Sequence, residues 1–183
     1  MPTAARESPI RLQPIPLRER GVLALGSRPL VMGVLNITPD SFSDGGRWLE
    51  PDLAVARADA MVGQGADLLD LGAESTRPGG GVYGTGASYV PAKEELDRLL
   101  PILRSVRERV SKPISVDTRK ASVARAALAA GADIVNDISA LAEEEMGTVV
   151  ADAGCPIVLM HSRGQLGSMQ SEIDFDHVVD EVV

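Results

Sequence analysis

The chain has 183 residues, of which 44% are hydrophobic, and a formal net charge of −8, so it is long enough for one globular domain with a buried core. The acidic balance and the five aromatic residues exclude a global basic surface and a base-stacking platform, so nucleic acid is not an expected partner. The single cysteine, Cys155, excludes an intrachain disulfide framework and a multi-cysteine zinc site.

The predicted elements begin with a frayed tail over residues 1–9 and a small hairpin over 10–25, turning at Arg18–Gly21. After that point apolar runs alternate with amphipathic segments. The apolar runs predict strands over 30–37, 67–72, 113–118, 133–138 and 156–161. The amphipathic segments predict helices over 52–65, 91–110, 120–131, 140–154 and from 174 onward. Pro101 is expected to end or kink the second of these helices.

Strand and helix alternate five times, and the strands are continuously apolar, which predicts a parallel sheet buried on both faces. A doubly wound sheet and a (β/α)₈ barrel both fit this pattern, and the spacing of the units favours the barrel, here reduced to about five βα units. We therefore divide the chain into an N-terminal tail and hairpin, 1–29, and a partial (β/α) barrel domain, 30–183. No apolar run approaches a membrane span, and residues 1–20 lack a signal-peptide core, so we expect a cytoplasmic location and no membrane partner.

Polar residues follow the predicted strands, and a parallel sheet would gather them at one end. They lie in segments 36–46, 74–79, 117–120, 136–137 and 161–163. Carboxylates, amides and arginines over an apolar floor suit a planar, nitrogen-rich ligand together with an anion. Each also has a simpler interpretation: Asp117 could be a helix N-cap, and Asn36 could satisfy a turn. The convergence of so many polar residues favours a binding site.

Two familiar motifs do not apply here. Residues 79–84 fit the G-x-G-x-x-G spacing of dinucleotide-binding proteins, but they follow Pro78 rather than a strand and continue as a loop. His161 and His177 lack the spacing of metal ligands.

Five segments of the chain closely resemble dihydropteroate synthase, the folate-pathway transferase that joins a pterin diphosphate to p-aminobenzoate. They are VMGVLNITPDSFSDGG (31–46), GADLLDLGAESTRPGG (65–80), PISVDT (113–118), GADIVNDISAL (131–141) and PIVLMHSRG (156–164). The resemblance covers nearly everything from Leu30 to Val183 and implies a (β/α)₈ barrel. It also implies small-molecule partners, namely 6-hydroxymethyl-7,8-dihydropterin diphosphate and p-aminobenzoate, with Mg²⁺ as cofactor and a homodimer as the family's usual assembly.

The resemblance assigns roles to individual positions. Asn36 would lie beside Mg²⁺ and the diphosphate, while Thr76 and Arg77 would belong to a loop that closes over p-aminobenzoate and the diphosphate. Asp117 and Asn136 would hydrogen-bond the pterin ring. Two apolar side chains, Ile138 and Met160, would pack against its flat face. Arg77 and Asp117 would be catalytic, stabilising the negative charge that grows on the diphosphate and the positive charge that grows on the pterin methylene.

The family's later strands contribute an Asp-Pro-Gly loop, a Ser-Arg-Lys segment and an Arg-x-His pair, and these motifs do not occur in the 183 residues. We therefore expect an N-terminal portion of the enzyme that does not turn over by itself. Two alternatives stay open at this point. One is a methyltetrahydrofolate–corrinoid methyltransferase, whose pterin site needs no diphosphate subsite. The other is a non-catalytic, pterin-binding paralogue.

Overall fold

A computed structural model describes residues 13–26, 28–38, 50–75, 89–161 and 174–182. The chain enters as an antiparallel hairpin, β1 (Ile15–Leu17) paired with β2 (Gly21–Leu23), which confirms the predicted hairpin. Gly21 has a φ of +80° at the end of the turn, a conformation that glycine adopts without steric cost. The predicted tail over 1–9 lies outside the described residues.

Within the described residues, five parallel strands and five helices follow the hairpin, and each predicted unit is present. The strands are β3 (Met32–Asn36), β4 (Leu68–Gly72), β5 (Ile114–Asp117), β6 (Ile134–Asp137) and β7 (Ile157–Leu159). The helices are α1 (Pro51–Gly63), α2 (Ala92–Arg109), α3 (Ala121–Ala129), α4 (Glu145–Ala153) and α5 (Val178–Val182).

The order of the strands in the sheet separates the two architectures that the sequence left open. It is β3-β4-β5-β6-β7, so each strand pairs with its neighbour in the chain, and every pair is parallel. A doubly wound sheet reverses its strand order at a switch point, whereas a (β/α)₈ barrel adds strands consecutively. The described sheet is therefore a section of a barrel.

The main core lies between the sheet and its helices. Leu35, Leu71, Val116 and Val135 are paired in register across four strands and are at most 1% exposed. Helix α2 packs onto this face of the sheet with Leu99, Ile102, Leu103 and Val106, which recur at helical spacing. Burial of each such side chain contributes about 1.5–3 kcal/mol to folding.

The opposite face of the sheet corresponds to the inside of a barrel. At the N-terminal ends of the strands, Leu17 of the hairpin packs there with Leu68 and Ile134, so the hairpin covers this end. On the two edge strands, Val34 of β3 is 50% exposed and Val158 of β7 is 46% exposed. The prediction that every strand is buried on both faces is therefore wrong for β3 and β7, the edge strands of the described sheet.

The structure differs from two predictions about helix limits, because Pro101 does not end helix α2 and helix α4 does not begin at residue 140. Helix α2 runs without interruption through Pro101, because Pro101 and the residue four positions earlier, Asp97, both face solvent. Water can thus satisfy the carbonyl that proline leaves unbonded. Helix α4 begins at Glu145 instead of residue 140, because Ala140 and Leu141 have φ values of +53° and +65°.

No helix in the described part of the chain is both long and apolar enough to cross a bilayer.

Candidate functional site

Three polar side chains lie in one row at the carboxyl ends of the strands. The sheet register pairs Asn36 with Gly72, Gly72 with Asp117, and Asp117 with Asn136. Residues in register on adjacent parallel strands point to the same face, here the face inside the barrel. Gly72 lies next to Asp117 in this row, and a Cβ at this position would be in van der Waals contact with the Cβ of Asp117, at 3.4 Å. Asn36, Asp117 and Asn136 therefore line one surface, as the sequence predicts.

Asp117 is the strongly perturbed acid of this row. Burial, together with the negative charges of Asp70, Glu95, Glu74 and Asp137, raises the pKa of its carboxyl group to about 7. A buried carboxyl group with such a pKa at the end of a strand is typical of a functional site rather than of a solvated surface. It can accept hydrogen bonds from ligand N–H groups once it is ionised.

Asp117 is not used as a helix cap. Helix α3 begins at Ala121, whose N–H donates to Oε2 of Glu143 at 3.0 Å. The N–H of Lys120 donates to Oγ1 of Thr118 at 3.2 Å. The capping interpretation of Asp117 is therefore wrong, because Thr118 and Glu143 supply the oxygens at this helix end.

A second carboxyl group, Asp70, lies one row nearer to the N-terminal ends of the strands and is 5% exposed. Its Oδ2 accepts a hydrogen bond from Nδ2 of Asn136 at 3.3 Å. Sequence reasoning did not select Asp70 as a site residue. The available signal was its place in the middle of the apolar run LLDLG, where an acid is costly unless it has a partner or a function.

A buried ionic network surrounds Glu74, just beyond β4. Its carboxylate accepts from Nζ of Lys120 at 2.8 Å, from Nε of Arg119 at 3.0 Å and from the N–H of Val90 at 3.0 Å. These contacts lower the pKa of Glu74 despite its burial, which acts in the opposite direction. Tyr89 adds a ring 5.5 Å from the guanidinium carbon of Arg119. Glu74 thus fixes the chain at positions 74 and 90, on either side of residues 76–88.

Lys120 connects this network to Glu95, which is fully buried on α2. Nζ of Lys120 donates to Oε2 of Glu95 at 2.6 Å, and no other ion pair of Glu95 is present in the part of the chain that the structure describes. Sequence reasoning missed Glu95 as well. Helical spacing could have found it, because Glu95 lies four residues before Leu99 and seven before Ile102, on the apolar face of α2.

The remaining predicted residues are distributed as follows. Ile138 directly follows β6 and is half-buried, and Met160 directly follows β7 and is 36% exposed. If the alternation of the strands continues, both lie on the same face as Asn136. Thr76 and Arg77 lie outside the described residues, so the structure does not place them relative to Asp117.

Asn36 offers an oxygen that a metal ion could use. Its side chain is exposed at the end of β3. The described ranges contain no cluster of three histidine, cysteine or acidic side chains that could hold a metal. Mg²⁺ commonly takes only one or two protein oxygens and completes its shell with water and phosphate oxygens, so an exposed Asn oxygen fits that habit.

The chain matches the pterin-binding enzyme family over residues 32–183. It is 48% identical to dihydropteroate synthase of Synechocystis sp. over 158 residues, which cover 86% of this chain and 52% of that protein.

Solved structures give the same result. A dihydropteroate synthase of Yersinia pestis, in complex with a sulfonamide drug, superposes with a TM-score of 0.82 at 41% identity, covering 92% of this chain and 58% of that one. A dihydropteroate synthase of Xanthomonas albilineans with 4-aminobenzoic acid superposes with a TM-score of 0.76 at 43% identity, covering 92% and 56%. The chain thus spans about half the length of the relatives it matches.

Proposed function

Since this chain belongs to the pterin-binding enzyme family, we propose that the whole protein is a dihydropteroate synthase. Its substrates would be 6-hydroxymethyl-7,8-dihydropterin diphosphate and p-aminobenzoate, and its products 7,8-dihydropteroate and diphosphate. The observation that carries this proposal is the row of Asn36, Asp117 and Asn136 at the carboxyl ends of β3, β5 and β6.

The chemistry of the row suits a pterin. A pterin edge presents N–H donors beside acceptor atoms at fixed angles, which a carboxylate and an amide can meet together. Asp117 and Asn136 are paired in register on neighbouring strands, which gives them the close spacing that one planar ring needs. A hydrogen bond from a ligand N–H to a buried carboxylate is among the stronger kinds.

The reaction requires little from the protein beyond positioning and charge. The lone pair of the arylamine nitrogen attacks the pterin methylene carbon, the C–O bond to the diphosphate breaks with its electron pair, and the amine loses one proton. Positive charge grows on the pterin methylene, and ionised Asp117 would stabilise it. Arg77 would stabilise the charge on the departing diphosphate, a role that the family resemblance assigns.

Asn36 is the residue that would hold Mg²⁺ together with the diphosphate, as its exposed position at the end of β3 allows. When bound, the ion would neutralise charge on the leaving group. The metal site separates this proposal from the methyltransferase alternative, because transfer of a methyl group from a pterin needs no diphosphate subsite.

Calorimetric titration tests the proposal. We expect the 183-residue chain to bind 6-hydroxymethylpterin diphosphate more tightly in Mg²⁺ than in EDTA, by about tenfold or more, equivalent to 1.4 kcal/mol. The variant Asn36→Ala should lose most of this Mg²⁺ increment but keep its affinity for 6-hydroxymethylpterin without the diphosphate.

A suitable control is Gln64→Ala, which removes an exposed amide from the C-terminal end of α1, at the opposite end of the sheet. It should retain the full Mg²⁺ increment. Equal affinity for the two pterins, with no effect of Mg²⁺, would favour the methyltransferase or the non-catalytic paralogue over the synthase.

A further inference from the structure

Asp70 has no role in the chemistry described so far, yet its carboxyl group is buried directly beside the candidate site. It lies on the inner face of β4, one row beneath Asp117, and is 5% exposed. Its Oδ2 accepts a hydrogen bond from Nδ2 of Asn136, which reaches across the intervening strand β5. Its Oδ1 has no hydrogen-bond partner among the described residues. A buried carboxyl group in the middle of an apolar strand costs free energy, so its presence calls for a functional reason.

The hydrogen bond fixes which end of the Asn136 amide faces the ligand. Burial raises the pKa of Asp70, but whether the group is ionised or neutral it can offer an acceptor oxygen. An acceptor oxygen requires a donor, so the nitrogen of the amide faces Asp70. Oδ1 of Asn136, on the other arm of the same planar amide, is consequently turned away from Asp70. Because Asp70 lies one row nearer to the N-terminal ends of the strands, an oxygen turned away from it would face the candidate site at their carboxyl ends.

We propose that Asp70 is a positioning residue that holds the amide of Asn136 with its carbonyl oxygen toward the ligand, so that the site selects a pterin amino group over a ring oxo group. This inference rests on the proposed pterin site, and it explains how that site would distinguish a pterin from a ring with an oxo group at the same position. A freely rotating amide could present either a donor or an acceptor and would discriminate poorly between the two ring types. A fixed amide leaves the wrong ligand with two facing acceptors and an unmade buried hydrogen bond.

A purely electrostatic role for Asp70 makes a different prediction, and two substitutions separate the roles. Asp70→Asn removes the negative charge but keeps an acceptor oxygen of the same reach. Asp70→Leu removes both the charge and the acceptor at similar volume. If Asp70 acts by positioning Asn136, the two variants differ. If it acts only through its charge on Asp117, they behave alike.

The experiment measures the affinity of the 183-residue chain for pterin and for lumazine, the analogue in which the 2-amino group is replaced by an oxo group. We expect the unsubstituted chain and Asp70→Asn to prefer pterin by about tenfold or more, and Asp70→Leu to lose most of that preference. Gln64→Ala is the control, since Gln64 is exposed at the C-terminal end of α1, at the opposite end of the sheet, and does not contact Asp70 or Asn136. It should keep the preference.

Three results would overturn the positioning role: equal preference in Asp70→Leu and the unsubstituted chain, equal loss in both Asp70 variants, or no preference in the unsubstituted chain.

A ligand-free measurement keeps the test separate from the proposed function. In ¹⁵N–¹H spectra the side-chain NH₂ signals of Asn136 should exchange slowly with solvent in the unsubstituted chain and quickly in Asp70→Leu. If no pterin binds, the proposed function fails, while these signals still decide whether Asp70 holds the amide. Unchanged exchange in Asp70→Leu would refute the positioning role.

Discussion

Replacing Asp117 by Asn is expected to weaken pterin binding and, at the same time, to make the folded chain more stable at pH 8. The first effect follows from the loss of a charged hydrogen-bond acceptor at a partly buried position of the row. Hydrogen bonds to charged groups contribute about 1.5–3 kcal/mol, which corresponds to a loss of affinity of about 10- to 150-fold. Calorimetric titration with 6-hydroxymethylpterin at pH 8 measures it.

The second effect follows from the raised pKa of Asp117. Its pKa is about 7 in the folded chain, against an ordinary value of 3.8. Between these values the folded state holds the proton more tightly than the unfolded state, so the contribution of Asp117 to stability falls as the pH rises from about 4 to about 7. At pH 8 the charge on Asp117 lowers the free energy of unfolding by about 2–4 kcal/mol, and a neutral Asn at this position avoids that cost.

Urea unfolding at pH 5.5 and pH 8 measures this difference. The free energy of unfolding should fall between the two pH values by more in the unsubstituted chain than in Asp117→Asn. Asp67 and Glu74 do not obscure the comparison, because their lowered pKa values place their titration below this window.

The affinity of the unsubstituted chain for the pterin should also rise with pH through about 7, and that rise should vanish in Asp117→Asn. Tight binding by Asp117→Asn, or a lower stability at pH 8, would contradict the account of this residue.

Replacing Lys120 by Met is expected to destabilise the chain by about 3–5 kcal/mol, because it leaves a buried carboxylate without its cation. Nζ of Lys120 lies 2.6 Å from Oε2 of Glu95 and 2.8 Å from Oε2 of Glu74. Glu74 would keep Arg119, but Glu95 would lose its ion pair in a position that is fully buried. Met is also unbranched and only one atom shorter than Lys, so the change removes the charge with a small effect on packing.

A double-mutant cycle isolates the ion pair from the packing. The variant Lys120→Met/Glu95→Leu replaces both charges by apolar groups and should recover most of the lost stability. The exposed pair of Lys93 and Asp97 is the control, since their side chains are 87% and 64% exposed. Lys93→Met should cost no more than about 0.5 kcal/mol. A cost for Lys120→Met as small as that of the control, measured by urea unfolding, would show that the buried network does not stabilise the fold.

The sequence was sufficient to predict the barrel units and three members of the candidate site. Continuous apolar runs identify the five strands, although β3 and β7 are not buried on both faces, and a polar residue at the end of such a run marks the end of the strand. Asn36, Asp117 and Asn136 carry this signal, and the register aligns them. Strand order could not be read from the sequence, because a doubly wound sheet and a barrel share the same alternation of elements.

The buried acids were harder to predict, because sequence patterns record residue types rather than partners. Helical spacing places Glu95 on the apolar face of α2, but it does not reveal the cation, Lys120, that reaches Glu95 from outside that helix. Asp70 looks like an irregularity in an apolar strand until Asn136 is found across the sheet. The start of α4 depends on the carboxylate of Asp137, which accepts from the N–H groups of Ser139 and Leu141 and holds a turn where the pattern predicts a helix.

The central claim is that a pterin binds at the carboxyl ends of β3 to β6, on the row that Asn36, Gly72, Asp117 and Asn136 form. Titration of the ¹⁵N-labelled 183-residue chain with 6-hydroxymethylpterin, followed by ¹⁵N–¹H NMR, tests it most directly. We predict that the largest shift changes occur at the backbone amides of this row, with none at the β1–β2 hairpin, which covers the other end of the sheet. Shift changes concentrated at the hairpin, or a saturating titration that leaves the row unchanged, would contradict the claim.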